Sequence, residues 1–519
     1  VHISNFDVLI IGAGSSGSVL ANRLSADSNC AVGLIEAGEW AGDPDIADPL
    51  KWPTLQGREY DRDYLTVPQP FTAKRVHRWA RGRIVGGSSC LHAMAHVRGH
   101  PEDFNEWAAA GGDRWSYEGL LSGFIRSERF TAFKAEGRGT DGPLNVFLPD
   151  REISPVVRAY MQAGQALGAP PLTDHNNGEL IGTAPNSLNI RNGRRLSVAD
   201  AYLTQDVLAR SNLSVMTGLT VEKLLFDNNR ATGVRLANST GPEDFHANHV
   251  ILAAGAIDSP VLLMRSGIGD AGKLSSASIE CRIDRPAVGT NLQDHMLLLG
   301  NVYRSRQSVP ASQLQHSESL MYLNSADLSA GTGRPDIVLA CVVAPSVAEG
   351  LSAPDYGTAY TLLCGVTHPT SRGYILPGGP DPDDRPVIDP RYLETDHDRE
   401  TFRAALRTAR LVGHHPAMNE WRLSEHLPGD KEQSDSELDA FIAAAACTHH
   451  HPVGTCRMGS DPHAVVDSDL RLVGLDNLYV VDASVIPVLP SGPINASVVA
   501  IAETWAALAP ELLSGKPLP

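Results

Sequence analysis

Unbroken apolar runs, rather than alternating ones, mark the first strands of this chain. Val8-Leu9-Ile10-Ile11 has no polar interruption, as expected for a strand buried on both faces of a parallel sheet. Leu20 and Leu24 follow one helical turn apart. Val32-Gly33-Leu34-Ile35 reads as a second strand that ends at Glu36. Residues 7–40 therefore predict a βαβ unit. Two more runs of the buried type lie far downstream, Val250-Ile251-Leu252 and Leu478-Tyr479-Val480-Val481. If both join the first sheet, one domain is assembled from N-terminal, middle and C-terminal pieces. The stretches 150–190 and 300–440 differ in texture. Within them, 336–343 and 358–366 suit strands of a second sheet, and the Pro-, Gly- and Asp-rich stretch 377–390 suits loops.

The turn after the first run is Gly12-Ala13-Gly14-Ser15-Ser16-Gly17, and it opens the first helix. Glycines permit a tight turn and let backbone N–H groups reach a pyrophosphate, while the helix N-terminus supplies positive charge. Glu36 follows at about the 20-residue spacing of a ribose-binding acid. Its carboxylate would accept from ribose hydroxyls and repel a 2′-phosphate, which favours FAD or NAD over NADP. Strand, turn, helix, second strand and acid occur in order, so dinucleotide binding is expected.

A chain of 519 residues suggests two domains, possibly interleaved, with room to enclose a large cofactor. The net charge of −17 disfavours nucleic-acid binding, which needs a basic footprint. The seven cysteines are scattered, without a CxxC pair, so no zinc site or disulfide framework is expected and a cytoplasmic location is. No apolar run approaches the ~18–20 residues of a membrane span, and the first strand starts too early for a signal peptide. A monomer is the default expectation.

The glycine motif alone does not separate FAD from NAD. Further blocks do so by resemblance. Gly82-Arg83-Ile84-Val85-Gly86-Gly87-Ser88-Ser89-Cys90-Leu91-His92 is similar to the first signature of the glucose–methanol–choline (GMC) oxidoreductases, and Gly255-Ala256-Ile257-Asp258-Ser259-Pro260 to the second. Val288-Gly289-Thr290-Asn291-Leu292-Gln293-Asp294-His295 and His451-Pro452-Val453-Gly454-Thr455-Cys456-Arg457-Met458-Gly459 resemble further family blocks. The resemblance implies an α/β, doubly wound (Rossmann-like) FAD-binding domain with an α+β substrate domain built on a large antiparallel sheet. The expected bounds are 1–150, 191–300 and 440–519 for the FAD domain, and 151–190 and 301–439 for the substrate domain. It implies that Gly86, Gly87, Ser88 and Ser89 lie against the flavin diphosphate and ring, and that Asp482 lies beside the flavin chain. Val221 is a further cofactor-contact candidate. Some members attach FAD covalently through a histidine one position before His92, where this chain has Leu91. Non-covalent FAD is therefore expected, with His92 as a polar contact.

Flavin-dependent alcohol oxidation needs a base for the hydroxyl proton and a flavin for the hydride. The family places a catalytic histidine at the position of His451. A residue before proline favours extended backbone, and in an extended segment residues i and i+2 share a face. His449 would then lie beside His451 as a substrate-orienting partner, with His450 turned away. With no carboxylate or fourth ligand close by in sequence, no metal is expected at this tract. The second catalytic position, usually His or Asn in the family, holds Pro493, which neither donates nor takes a proton. His449 is expected to cover part of that role. Asn495 is expected to cap the last helix and to touch the flavin.

Proline there, with a histidine two residues before His451, is similar to family members that oxidise pyridoxine to pyridoxal and reduce O2 to hydrogen peroxide. Two alternatives stand beside it. One is a dehydrogenase for another primary alcohol that passes electrons to a quinone or other carrier. The other is a lyase acting on cyanohydrins with FAD in a structural role.

Overall fold

The structure is a computed structural model that describes residues 5–237, 243–329, 333–431 and 434–514. Its first sheet has seven strands. Asn5–Ile11 lies between Val32–Ile35 and Glu243–Leu252, parallel to both, with Ile10 beside Leu34 on one side and Ile251 on the other. Leu213–Met216 extends the parallel set outward from Val32–Ile35. On the far side, Leu478–Val480 pairs in parallel with Val250, Ile251 and Leu252. The hairpin of Val221–Asp227 and Arg230–Leu236 completes the sheet. Val8, Leu9 and Ile10 are almost wholly buried, which is why this strand shows no alternation.

Joining the two late runs to the first sheet makes one domain of three separated pieces. The helix Asn495–Leu513 packs against the first helix, Ser15–Leu24, and against Tyr117–Ser127. Its mean hydropathy of 1.3 and 19 residues would suit a membrane span by length and composition, yet it is mostly buried inside the protein. Glu503 interrupts its apolar sequence. That carboxylate is buried beside Arg23 and Tyr202.

The second sheet is antiparallel and has eight strands. Its order runs from Arg422–Leu427 through Val302–Ser305, Ala359–Val366, Ile337–Val342 and Ser317–Leu323 to Gly182–Pro185. Met296–Leu298 pairs with both Ala359–Val366 and Ala446–Thr448. The sheet thus reaches past the expected boundaries at 300 and 440. Chain composition carries no signal there, because these two short strands leave the FAD-side segments without a break. The stretch expected as loops also holds a strand, Val387–Asp389, paired with Tyr374–Leu376.

Candidate active site

The glycine turn is fixed by backbone sterics. Gly12 has φ +102°, and a Cβ on it would lie 2.7 Å from the Ala253 carbonyl oxygen. A Cβ on Gly17 would lie 1.8 Å from the Gly12 oxygen. Gly14 is the N-cap of the first helix and brings no side-chain acceptor, so the first-turn amides are left for an anion. The Ser15 hydroxyl donates to Asn495 Oδ1 at 2.7 Å, and the Ser16 hydroxyl donates to the Val481 carbonyl. Glu36 accepts from the Ala13 and Gly38 amides, each at 2.9 Å. It thereby shapes the turn as well as facing the cleft, and burial raises its pKa.

A second loop crosses the first. The Gly86 amide donates to the Ala13 carbonyl at 2.8 Å. Gly87, at φ +54°, comes so close that a Cβ on it would stand 2.8 Å from the Gly14 Cα. Gly87 and Ser88 line the cleft. Gly86 and Ser89 sit behind them: the Ser89 hydroxyl donates to the Gly86 carbonyl and accepts from the Val198 amide at 2.9 Å. Ser89 therefore builds the loop rather than facing the cleft. His92 lines the cleft. Its Nδ1 accepts from the Met94 amide and lies 3.1 Å from Arg195, while its buried Nε2 has no partner among the described residues. Burial, then Arg195, push the His92 pKa down to about 3, so the ring is neutral.

The histidines come from a broken ladder. The His449 amide donates to the His295 carbonyl at 2.8 Å, and Val453 pairs again with Gln293. Residues 450–452 therefore bulge opposite Asp294 alone, and His450 sits at φ +63°. This corrects the expectation of extended backbone through 449–451. His449 and His451 do lie together, with ring centroids 4.3 Å apart, but a left-handed residue between them brings this about. The Asp294 carboxylate fills the bulge. It accepts from the His451 amide at 2.7 Å, the Thr448 hydroxyl at 2.6 Å and the Tyr392 hydroxyl. Burial raises its pKa to about 6, against the pull of these bonds. His450 also reaches the cleft wall, where its carbonyl accepts from Arg81 at 2.7 Å.

All three rings lose basicity to burial. His449 and His450 are lowered to about 3, and His451 falls well below its ordinary value, with His449 and His295 adding to the effect. His295 is the member that sequence reasoning missed. Its Nδ1 is 3.0 Å from His451 Nδ1 and its Nε2 is 2.8 Å from the Thr367 carbonyl oxygen. The signal lay in the Gln293-Asp294-His295 block, but nothing local linked it to a tract more than 150 positions away. Nitrogens of His295, His449 and His451 lie within 4.8 Å of one another. A metal there would have to break the bond between His295 and His451.

Pro493 lines the same cleft. Its loop is anchored by Ser491, whose amide and hydroxyl donate to Asp103 at 2.6 and 2.9 Å, and His368 Nε2 lies 2.9 Å from that hydroxyl. Asn495 does not cap the last helix. Ile494 is the N-cap, and no side chain fills that role. Asn495 instead points its oxygen at Ser15, and its buried Nδ2 has no partner among the described residues. Asp482 lies in the wall, yet its carboxylate accepts from four protein donors: the Gly255 and Ser484 amides and the Ser259 and Ser484 hydroxyls.

One cleft of about 640 Å³ joins all of this. It runs from Gly12, Gly14, Ser15, Ser16 and Glu36, past Val221 and Gly87, to His449, His451 and Pro493. The residues fit FAD. A glycine turn at a bare helix N-terminus suits the diphosphate, and the buried acid Glu36 suits a ribose. The unpartnered Nδ2 of Asn495 and Nε2 of His92 are polar atoms that a bound cofactor would satisfy.

Residues 6–297 and 369–502 match the family models described as GMC oxidoreductase. The chain is 52% identical over 504 residues to pyridoxine 4-oxidase of Microbacterium luteolum, covering 97% of this chain and 99% of that one. It is 35% identical to the mitochondrial choline dehydrogenase of Mus musculus, over 99% and 90% of the two chains. Among solved structures, pyridoxine 4-oxidase from Mesorbium loti superposes with a TM-score of 0.96 at 52% identity, covering 98% of this chain and 99% of that one. The chain belongs to the GMC oxidoreductase family and is an FAD-dependent enzyme that oxidises CH–OH groups.

Proposed function

We propose that the protein oxidises the primary alcohol of pyridoxine to the aldehyde pyridoxal on non-covalently held FAD, with O2 reduced to hydrogen peroxide. The observation that carries this reading is the pairing of His449 with His451 at 4.3 Å on a cleft that Pro493 also lines. Two adjacent neutral imidazoles provide a base and a second polar partner for one hydroxyl, where a proline offers neither. The 52% identity to pyridoxine 4-oxidase supports the substrate. Leu91, where a covalent link would need histidine, supports a non-covalent cofactor. Seven cysteines without a disulfide support a cytoplasmic location.

His451 takes the proton of the hydroxyl group. Burial keeps it unprotonated at neutral pH, so a lone pair is available, and general base catalysis of this kind contributes roughly 10²–10⁴-fold. His449 holds the same oxygen and orients the carbinol carbon. Asp294 keeps both rings in place by holding the bulge. FAD held along Gly12, Gly14, Ser15, Glu36 and Gly87 would supply the hydride acceptor and the route for two electrons to oxygen. The apolar wall, which includes Leu320, Val338 and Leu363, excludes water from the reacting atoms.

Anaerobic addition of pyridoxine to the yellow holoenzyme tests the substrate, and admission of air tests the acceptor. Bleaching followed by fast recovery with peroxide release is expected. Bleaching that recovers only with a quinone would instead favour a dehydrogenase, the activity named for the choline relative. Acid precipitation should leave the flavin in the supernatant.

A further inference from the structure

His295 does not line the cleft, yet both of its ring nitrogens are in use. Nε2 is 2.8 Å from the Thr367 carbonyl oxygen, and a carbonyl only accepts. The Pro490 carbonyl also bears on this ring, but the short contact is the one to Thr367, and it places the proton on Nε2. Burial, with His368 adding to it, lowers the His295 pKa to about 4, so the ring is neutral near pH 7. A neutral imidazole has one donor and one acceptor nitrogen, and its Nδ1 is then a bare lone pair. The 3.0 Å contact between the two Nδ1 atoms has to contain a proton, and that proton belongs to His451. The other nitrogen of His451, Nε2, is left without one.

We propose that His295 is a positioning residue: by accepting the His451 Nδ1 proton, it locks His451 in the tautomer whose Nε2 is free to take the substrate hydroxyl proton. The inference rests on His451 being the base. Without an acceptor at Nδ1, His451 could carry its proton on Nε2, and the nitrogen offered to the alcohol would be a donor. Once His451 has taken the substrate proton, the same contact becomes a charge-assisted hydrogen bond. It then stabilises an imidazolium that burial alone would disfavour. The assembly is well braced. The His295 carbonyl accepts from the His449 amide at 2.8 Å, and the His451 amide is held by Asp294 at 2.7 Å.

Two measurements on the FAD-loaded enzyme test this. In histidine-15N-labelled protein near pH 7, the His451 signals are those lost in His451→Ala. Protonated Nδ1 and bare Nε2 are expected, and the reverse pattern overturns the proposal. In stopped flow, His295→Leu should slow anaerobic flavin reduction roughly 10²-fold, the scale of a misplaced reacting group, with substrate Kd and bound FAD little changed. His295→Asn sets an amide oxygen near the Nδ1 position and should recover most of that rate. A Leu variant that reduces its flavin at the wild-type rate overturns the proposal. If the Leu variant loses FAD, the wild-type nitrogen spectrum still decides. The base assignment fails separately, through a His451→Ala enzyme that reduces its flavin normally.

Discussion

The Ser15 hydroxyl donates to Asn495 Oδ1 at 2.7 Å, tying the N-terminus of the first helix to that of the last. This bond orients the Asn495 amide, whose buried Nδ2 has no partner among the described residues and is the donor we propose for the cofactor. Asn495→Ala removes both the tie and the donor. FAD affinity should fall by roughly 10-fold, the scale of one lost hydrogen bond with an unsatisfied neighbour. Ser15→Ala should have a smaller effect, because Nδ2 survives. Flavin release under dialysis, followed by fluorescence, ranks the two. Equal loss would show that only the Ser15 tie matters.

Gly87 should tolerate no side chain. A methyl group there would meet the Gly14 Cα at 2.8 Å, and the backbone is left-handed at φ +54°. Gly87→Ala has to push the two cofactor loops apart, so the purified variant should carry much less FAD. A flavin-to-protein absorbance ratio equal to the wild type's would contradict the close crossing.

His451→Ala should slow flavin reduction by roughly 10²–10⁴-fold, the range of general base catalysis. His450 is best replaced by Asn, which tolerates the left-handed backbone at φ +63°. His450→Asn should retain flavin reduction within a few-fold, since the bulge is kept and the base is untouched. Stopped-flow rates for the two variants decide between a base and a wall residue. Comparable losses in both would remove the special role of His451.

His449 should carry the role left open by Pro493. His449→Ala is expected to weaken substrate binding and slow reduction together, while FAD stays bound. Pro493→Asn in that background should recover part of the rate by restoring a polar partner in the same cleft. Recovery will be partial because losing proline also loosens the loop. Unchanged reductive kinetics in His449→Ala would refute the assignment.

Stability should fall on acidification from about pH 6.5 toward pH 4. His77, His92, His449 and His450 are lowered to about 3, and His175 and His295 to about 4. Unfolded, each takes up a proton near pH 6.5. In that window the unfolded chain binds more protons than the folded one, so stability rises with pH. Asp294, raised to about 6, and the buried carboxylates of Glu36, Glu318, Asp467 and Asp482, also raised by burial, oppose this, while Asp103 and Glu128, which are lowered, act with the histidines. Thermal melts with excess FAD at pH 7, 6 and 5 should give a steadily falling Tm. A flat or rising Tm would show that these rings are charged in the fold.

The cofactor half of the site was legible because it is local. Gly12, Gly14, Gly17 and Glu36 sit in one βαβ unit, and each is demanded by sterics or by a ribose at a known spacing. The catalytic half was legible only in part. His449 and His451 were paired for the wrong local reason, since the broken ladder at His450 depends on Asp294 from another segment. His295 and the capping state of Asn495 depend on contacts across more than 150 and 400 positions, which periodicity does not encode. The second sheet showed two of its strands, 337–342 and 359–366, and hid the others, the seven-residue Ser317–Leu323 among them. Met296–Leu298 and Ala446–Thr448 are too brief to carry a pattern.

The pairing of Leu478–Val480 with Val250–Leu252 also sets an order of assembly. The parallel sheet cannot close until nearly the whole chain has left the ribosome, and the last helix, which brings Asn495 to Ser15, emerges later still. Until then the strand ending at Leu252 offers an open, apolar edge of the kind that invites wrong pairing. So non-local a topology folds slowly. The cofactor seat is therefore finished last, and FAD capture is coupled to completion of the whole molecule rather than to its N-terminal third.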